Sequence, residues 1–117
     1  MNNKEFEKLL YRRIDLTKSV LSSKNKEYAS DDDKLHNFKR AGDMLRQTTE
    51  KALIGMWTKH IISLLDIVDK INNDEDEEMI KVWDNSGLTK KMLEEKIGDA
   101  INYLILLEAM IKERYKW

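Results

Sequence analysis

Residues Glu50–Ile71 read EKALIGMWTKHIISLLDIVDKI, and this stretch decides the fold. Leu53, Ile54, Met56, Trp57, Ile61, Ile62, Leu64, Leu65, Ile67, Val68 and Ile71 fall on nearly every side of an α-helix. A helix apolar most of the way round is buried from several directions, inside a bundle or at a subunit interface. Thr48 or Thr49 is placed to cap it and Asn72-Asn73 to end it. Gly55 costs about 1 kcal/mol against Ala in mid-helix, and is expected to permit a close helix crossing.

Outward from this segment the same periodicity recurs. From Lys4 to about Lys26, Phe6, Leu9, Leu10, Ile14, Thr17, Val20 and Leu21 repeat at three and four, one face of a helix. Ser30-Asp31-Asp32-Asp33 predicts a second helix start, Ser30 capping and Asp33 reciprocating, with acids at the positive end of the dipole. Leu35, Phe38, Ala41, Met44 and Leu45 supply its stripe, which fades near Gln47. Downstream, the acidic run at 74–78 reads as a solvated connector, and Met79, Ile80 and Trp83 as one docked turn. Asp84-Asn85-Ser86-Gly87 breaks the chain. Thr89 caps a last helix over about Lys90–Glu113, with Met92, Ile97, Ile101, Leu104, Ile105, Leu107, Met110 and Ile111 inward and Lys112, Arg114 and Lys116 at its basic end. The expected architecture is one all-α domain, a four-helix up-and-down bundle over residues 1–117. Covering the third helix in so short a chain calls for a homodimer or higher symmetric assembly.

Composition narrows the function classes. Of 117 residues 41% are hydrophobic and 37% charged, with no Pro and no Cys, so the chain is neither disordered nor disulfide-stapled and has no thiol nucleophile or thiolate zinc site. The net charge of −1 creates no global field toward nucleic acid or anionic lipid, and no basic stripe suits a duplex-reading helix. The opening MNNKEFEKLLYRRID is charged too often for a signal peptide. The longest uncharged apolar run, Ala100–Leu107, is far below the ~20 residues of a membrane span. The expectation is a soluble cytoplasmic protein. Neither GxxxxGK[ST] nor GxGxxG occurs, and His36 and His60 lack a local nucleophile motif.

Polar residues on apolar faces carry what chemistry there is. In the last helix Glu95, Asp99 and Asn102 lie at i, i+4 and i+7, with Tyr103 beside them. In the third, Lys59, Ser63 and Asp66 repeat that geometry, with His60 adjacent. Facing each other, these stripes would form either a structural polar network or a ligand site, because buried charge without partners costs several kcal/mol. A second group, Lys24, Lys26, Tyr28, Asn37, Phe38, Lys39 and Arg40, combines cations with aromatics and an amide. It suits a phosphate and a base, or else is an exposed loop whose Tyr28 and Phe38 pack into the core.

Four segments occur in order: Asn25-Lys26-Glu27-Tyr28, Leu35-His36-Asn37-Phe38, Lys59-His60-Ile61-Ile62-Ser63 and Glu95-Lys96-Ile97-Gly98-Asp99-Ala100-Ile101-Asn102-Tyr103. Together they resemble the phage-encoded nucleotide-modification-associated domain family, which is similar to the MazG-like all-α nucleoside triphosphate pyrophosphatases. The resemblance implies a helical bundle, often dimeric, that holds a nucleotide and, through carboxylates on two facing helices, magnesium for pyrophosphate release. It implies Glu95 and Asp99 as catalytic residues and, with Asp66, as magnesium ligands. It implies Lys26, Tyr28, Asn37, Phe38, Lys59, His60, Ser63, Asn102 and Tyr103 as nucleotide contacts. The family's E-E-x-x-E element has no counterpart, for Trp57–Ser63 holds a Lys and a His where acids would stand. Three functions follow as expectations: a nucleotide pyrophosphohydrolase or modification accessory, a non-catalytic protein that sequesters a host signalling nucleotide in anti-defence, or a helical dimerisation protein.

Overall fold

The structure, a computed structural model, describes residues 1–22, 33–73 and 90–117, with the backbone alone for 70–73. These residues form four helices and no strand: α1 (Asn3–Ser22), α2 (His36–Leu45), α3 (Thr49–Asn73) and α4 (Lys90–Tyr115). The expected acidic connector, the docked turn at Met79–Trp83, the Thr89 cap, Ser30, and the whole of Lys24–Tyr28 lie outside the described residues.

Local chemistry sets the helix ends. At α1 the Asn2 side chain accepts from the Glu5 N–H at 2.9 Å, while Glu5 accepts from the Asn2 N–H at 2.8 Å. That reciprocal pair satisfies two otherwise orphaned donors. The second helix begins at His36, later than the serine-capped start expected from sequence. Asp33 governs the entry, its Oδ1 accepting from the Leu35 N–H at 2.9 Å and its Oδ2 from Lys39 Nζ at 2.7 Å. The helix also stops earlier than the fading stripe implies. Arg46 turns left-handed with φ 52°, and the Arg46 and Gln47 N–H groups return to the Asp43 and Gly42 carbonyls. Gly42 permits this reversal, since a Cβ there would lie 3.0 Å from the Gln47 carbonyl oxygen. Of the two threonines that could cap α3, Thr48 does so, its Oγ1 accepting from the Lys51 N–H at 3.2 Å.

The core sits at one end of the molecule. Leu35, Phe38, Leu53, Leu106 and Met110 are buried together, with Leu21, Met56, Trp57, Tyr103 and Leu107 packed around them. Phe38 at 1% exposure and Leu53 at 0% are its centre. α3 runs antiparallel to α4: Glu50 pairs bidentately with Arg114 at 2.6 and 2.7 Å, and Trp57 Nε1 donates to the Ala100 carbonyl at 3.3 Å. Gly55 does not mark a helix crossing as expected. A Cβ there would meet open space.

α1 is attached differently. Its apolar face was expected to be core, yet none of its residues is buried, and Phe6, Leu9, Leu10 and Ile14 are 41–56% exposed. Polar contacts fasten it to α4, chiefly the Arg12–Glu94 pair, with Nε and Nη2 each 2.9 Å from a carboxylate oxygen. Ile62, Leu65 and Val68 of α3 and Leu104 and Ile105 of α4 are likewise exposed. No helix among the described residues is long and apolar enough to cross a membrane.

Candidate functional site

One line along α4 organises the molecule. Gly98, Asn102, Leu106 and Met110 are all buried, at successive i, i+4 positions that share a helix face. Leu106 and Met110 belong to the core. Gly98 and Asn102 line a groove of about 600 Å³ between α1 and α4. The same line thus passes from hydrocarbon into a polar-edged cleft.

Asn102 is the anomaly in it. The residue is 4% exposed, and its Oδ1 is buried with no hydrogen-bond partner among the described residues. A buried acceptor left unpaired costs about 1–3 kcal/mol, and native proteins leave few such groups. Apolar walls come from Leu16 and Val20, with Thr17 beside them. Four cations (Arg12, Arg13, Lys90, Lys91) face three carboxylates (Glu94, Glu95, Asp99), an excess of one positive charge. Glu94 is committed to Arg12, whose hydrogen bonds and charge hold its carboxyl below the usual range and raise the guanidinium's own pKa.

Sequence reasoning placed Glu95, Asp99 and Asn102 on one stripe, and all three border this groove. It did not anticipate that α1 supplies the opposite wall. From the α3 group His60 reaches the α4 set: its Nδ1 lies 3.7 Å from Asp99 Oδ2, an ion pair when the imidazole is protonated, and its ring sits 4.9 Å from that of Tyr103. Phe38 meets Tyr103 edge-on at 5.8 Å, so a column of rings ties α2, α4 and α3 together. Being fully buried, Phe38 braces Tyr103 from the core side and presents no face for stacking a base. Lys59 and Asp66 are exposed and Ser63 half-buried on α3, and none of them lines the groove. Asn37 is exposed on α2. Lys26 and Tyr28 lie outside the described residues.

The fit to magnesium is poor in a single chain. That ion needs oxygen ligands in octahedral array, usually carboxylates helped by phosphate and water. Among the described residues no three His, Cys, Asp or Glu side chains converge, so Asp66 does not join Glu95 and Asp99.

Arg12, Arg13, Gly98, Lys90 and Lys91 were missed as site residues. In sequence, Arg12-Arg13 is an ordinary charged turn on a helix whose apolar stripe promised burial. The one available signal was Gly98, a glycine one turn before a buried amide in a helix otherwise rich in helix formers. Against this geometry, comparison of the chain with protein-family models, with curated proteins and with solved structures finds no match.

Proposed function

We propose that this protein binds a nucleotide in the α1–α4 groove, with Asn102, Asp99 and Glu95 as contacts on α4. The observation that carries the reading is the orphaned Oδ1 of Asn102, an acceptor ready for an N–H or O–H of a ligand at an apolar, charge-rimmed cleft. A groove of about 600 Å³ suits a small molecule of nucleotide size. The excess of positive charge on its rim favours a phosphorylated one.

The fold behind this reading is a MazG-like up-and-down bundle, in keeping with the resemblance to the phage nucleotide-modification-associated family. A second copy of the chain completes it. The support for that partner is the exposed stripe of Phe6, Leu9, Leu10 and Ile14 on a helix with no buried residue, beside exposed Ile97 and Leu104 on α4.

Of the two chemical readings, binding without turnover is favoured by the absence of a three-carboxylate cluster among the described residues. On that reading the protein sequesters a nucleotide, a host signalling nucleotide in the phage setting. The pyrophosphohydrolase reading requires Glu95 and Asp99 to gain further oxygen ligands from outside the described residues or from a second copy. A thermal-shift series with nucleoside triphosphates, with and without magnesium and followed by a pyrophosphate assay, tests both. Stabilisation without pyrophosphate release is the expected result. Magnesium-dependent release would restore the enzyme reading, and no stabilisation by any nucleotide would remove both.

A further inference from the structure

The nucleotide reading leaves open which group would hold the phosphate, and Arg13 has the geometry for it. Its guanidinium lies across α4 at Gly98: a Cβ built there would stand 2.7 Å from Arg13 Nη1. Arg13 Nη2 donates to the Glu94 carbonyl oxygen at 3.1 Å, which fixes the side chain in this seat. A guanidinium carries five N–H donors; the charge of Arg13 helps to lower the Glu94 pKa, but among the described residues no carboxylate lies within ion-pair distance of it. Its neighbour Arg12, by contrast, spends its fork on Glu94. Arg13 therefore keeps donors with no hydrogen-bond partner among the described residues, and it lines the groove together with Asn102.

Gly98 and Asn102 are one helical turn apart on the same buried line of α4. The seat thus brings a cation with spare donors within about one turn, ~5–6 Å, of an acceptor with no donor. We propose that Arg13, seated over Gly98, is the phosphate-binding residue of the groove, and that it acts with Asn102 on a nucleoside phosphate whose sugar or base donates to the amide oxygen. The inference rests on the nucleotide reading and assigns roles to two residues, Arg13 as contact and Gly98 as the gap that admits it.

Gly98→Ala separates the role from general packing. The added methyl meets only the far end of a flexible side chain, and Ala is the better helix former. The variant should therefore fold with unchanged helicity while Arg13 is pushed out of its seat. Calorimetric titration of the wild type, Arg13→Ala, Gly98→Ala and Asn102→Leu with ATP, CTP, GTP, UTP and inorganic tripolyphosphate supplies the test. Loss of charge-assisted hydrogen bonds should weaken binding about ten- to a hundredfold. Arg13→Ala and Gly98→Ala should lose that factor for tripolyphosphate and nucleotides alike, whereas Asn102→Leu should lose it for nucleotides only. Nucleotide binding that is equal in the wild type, Arg13→Ala and Gly98→Ala would overturn the phosphate seat and leave the nucleotide reading standing. No binding of any nucleotide by the wild type would overturn both.

Discussion

The two ends of α4 differ in kind. At the end formed with α2 and the first half of α3, Leu106 and Met110 meet Leu35, Phe38 and Leu53, and every one of these is at most 4% exposed. At the other end the same buried line carries Gly98 and Asn102, faces a helix with no buried residue, and borders a groove of about 600 Å³. Hydrocarbon packing holds the first end together. At the second, the ion pair that joins α1 to α4 is Arg12–Glu94, and an exposed pair contributes little in water. On the proposed reading the contrast teaches that stability and recognition are divided along one helix. The apolar end supplies the free energy that lets the polar end keep an unsatisfied acceptor and an open cleft.

The largest effects should come from the apolar end. Leu53→Ala or Phe38→Ala should lower unfolding free energy by about 3–5 kcal/mol in urea melts, while groove binding survives at temperatures where the variant stays folded. Loss of binding without loss of fold in Phe38→Ala would mean that the ring column through Tyr103 to His60 transmits to the groove. Next is Gly42→Ala. Its methyl would press on the backbone of the α2–α3 reversal rather than on a mobile side chain, and overpacking of that kind costs about 1–3 kcal/mol.

How much of this was legible in the sequence divides along the same boundary. The helices follow from apolar spacing, but their inward faces only in part: Leu35 and Phe38 on α2 and Met110 on α4 are buried as expected, whereas Met44, Leu45, Met92, Ile97, Leu104 and Ile105 are exposed. Phe38, Leu53 and Met110 lie on lines that periodicity picks out, while Leu106, equally buried, lies one turn beyond Asn102 and outside the apolar face expected for α4. The polar stripe Glu95–Asp99–Asn102 was legible for the complementary reason, because polar groups on an apolar helix are costly unless used. Its partner was not. Spacing shows that a helix has two faces but not which neighbour each face meets. From sequence the α3 stripe of Lys59, Ser63 and Asp66 is therefore the expected opposite wall, whereas α1 supplies it. The α1 stripe looked like core because apolar spacing cannot distinguish a face turned inward from one left for another chain. Gly55 and Gly98 are alike as letters, yet one faces open space and the other a guanidinium.

Smaller effects sharpen the comparison. Asn102→Leu should raise stability by about 1 kcal/mol, since it removes an unsatisfied buried acceptor; a differential scanning calorimeter checks this. Acid should loosen the ion-paired regions. Hydrogen bonds from Lys39, Arg114 and Arg12 hold the Asp33, Glu50 and Glu94 carboxyls below their ordinary values. A carboxyl depressed in the folded state contributes stability that is present above its unfolded pKa and lost as pH falls through the folded one. Protection of amides against hydrogen exchange should therefore decline below the ordinary carboxylate range in α1, through Glu94, and likewise at the α2 entry and the first turn of α3, through Asp33 and Glu50. Unchanged α1 protection through that range would show that α1 is held by more than the Arg12–Glu94 pair.

The most direct test of the central claim, that the orphaned amide belongs to a ligand site, is the melting temperature of the wild type and Asn102→Leu, each with and without saturating nucleoside triphosphates. The variant is expected to melt higher than the wild type when both are free and to gain less on adding nucleotide. For the wild type, ligand at a hundred times its dissociation constant adds about 2.7 kcal/mol. If Asn102→Leu melts lower than the wild type and both proteins ignore every nucleotide, the amide is structural and the groove is not a nucleotide site.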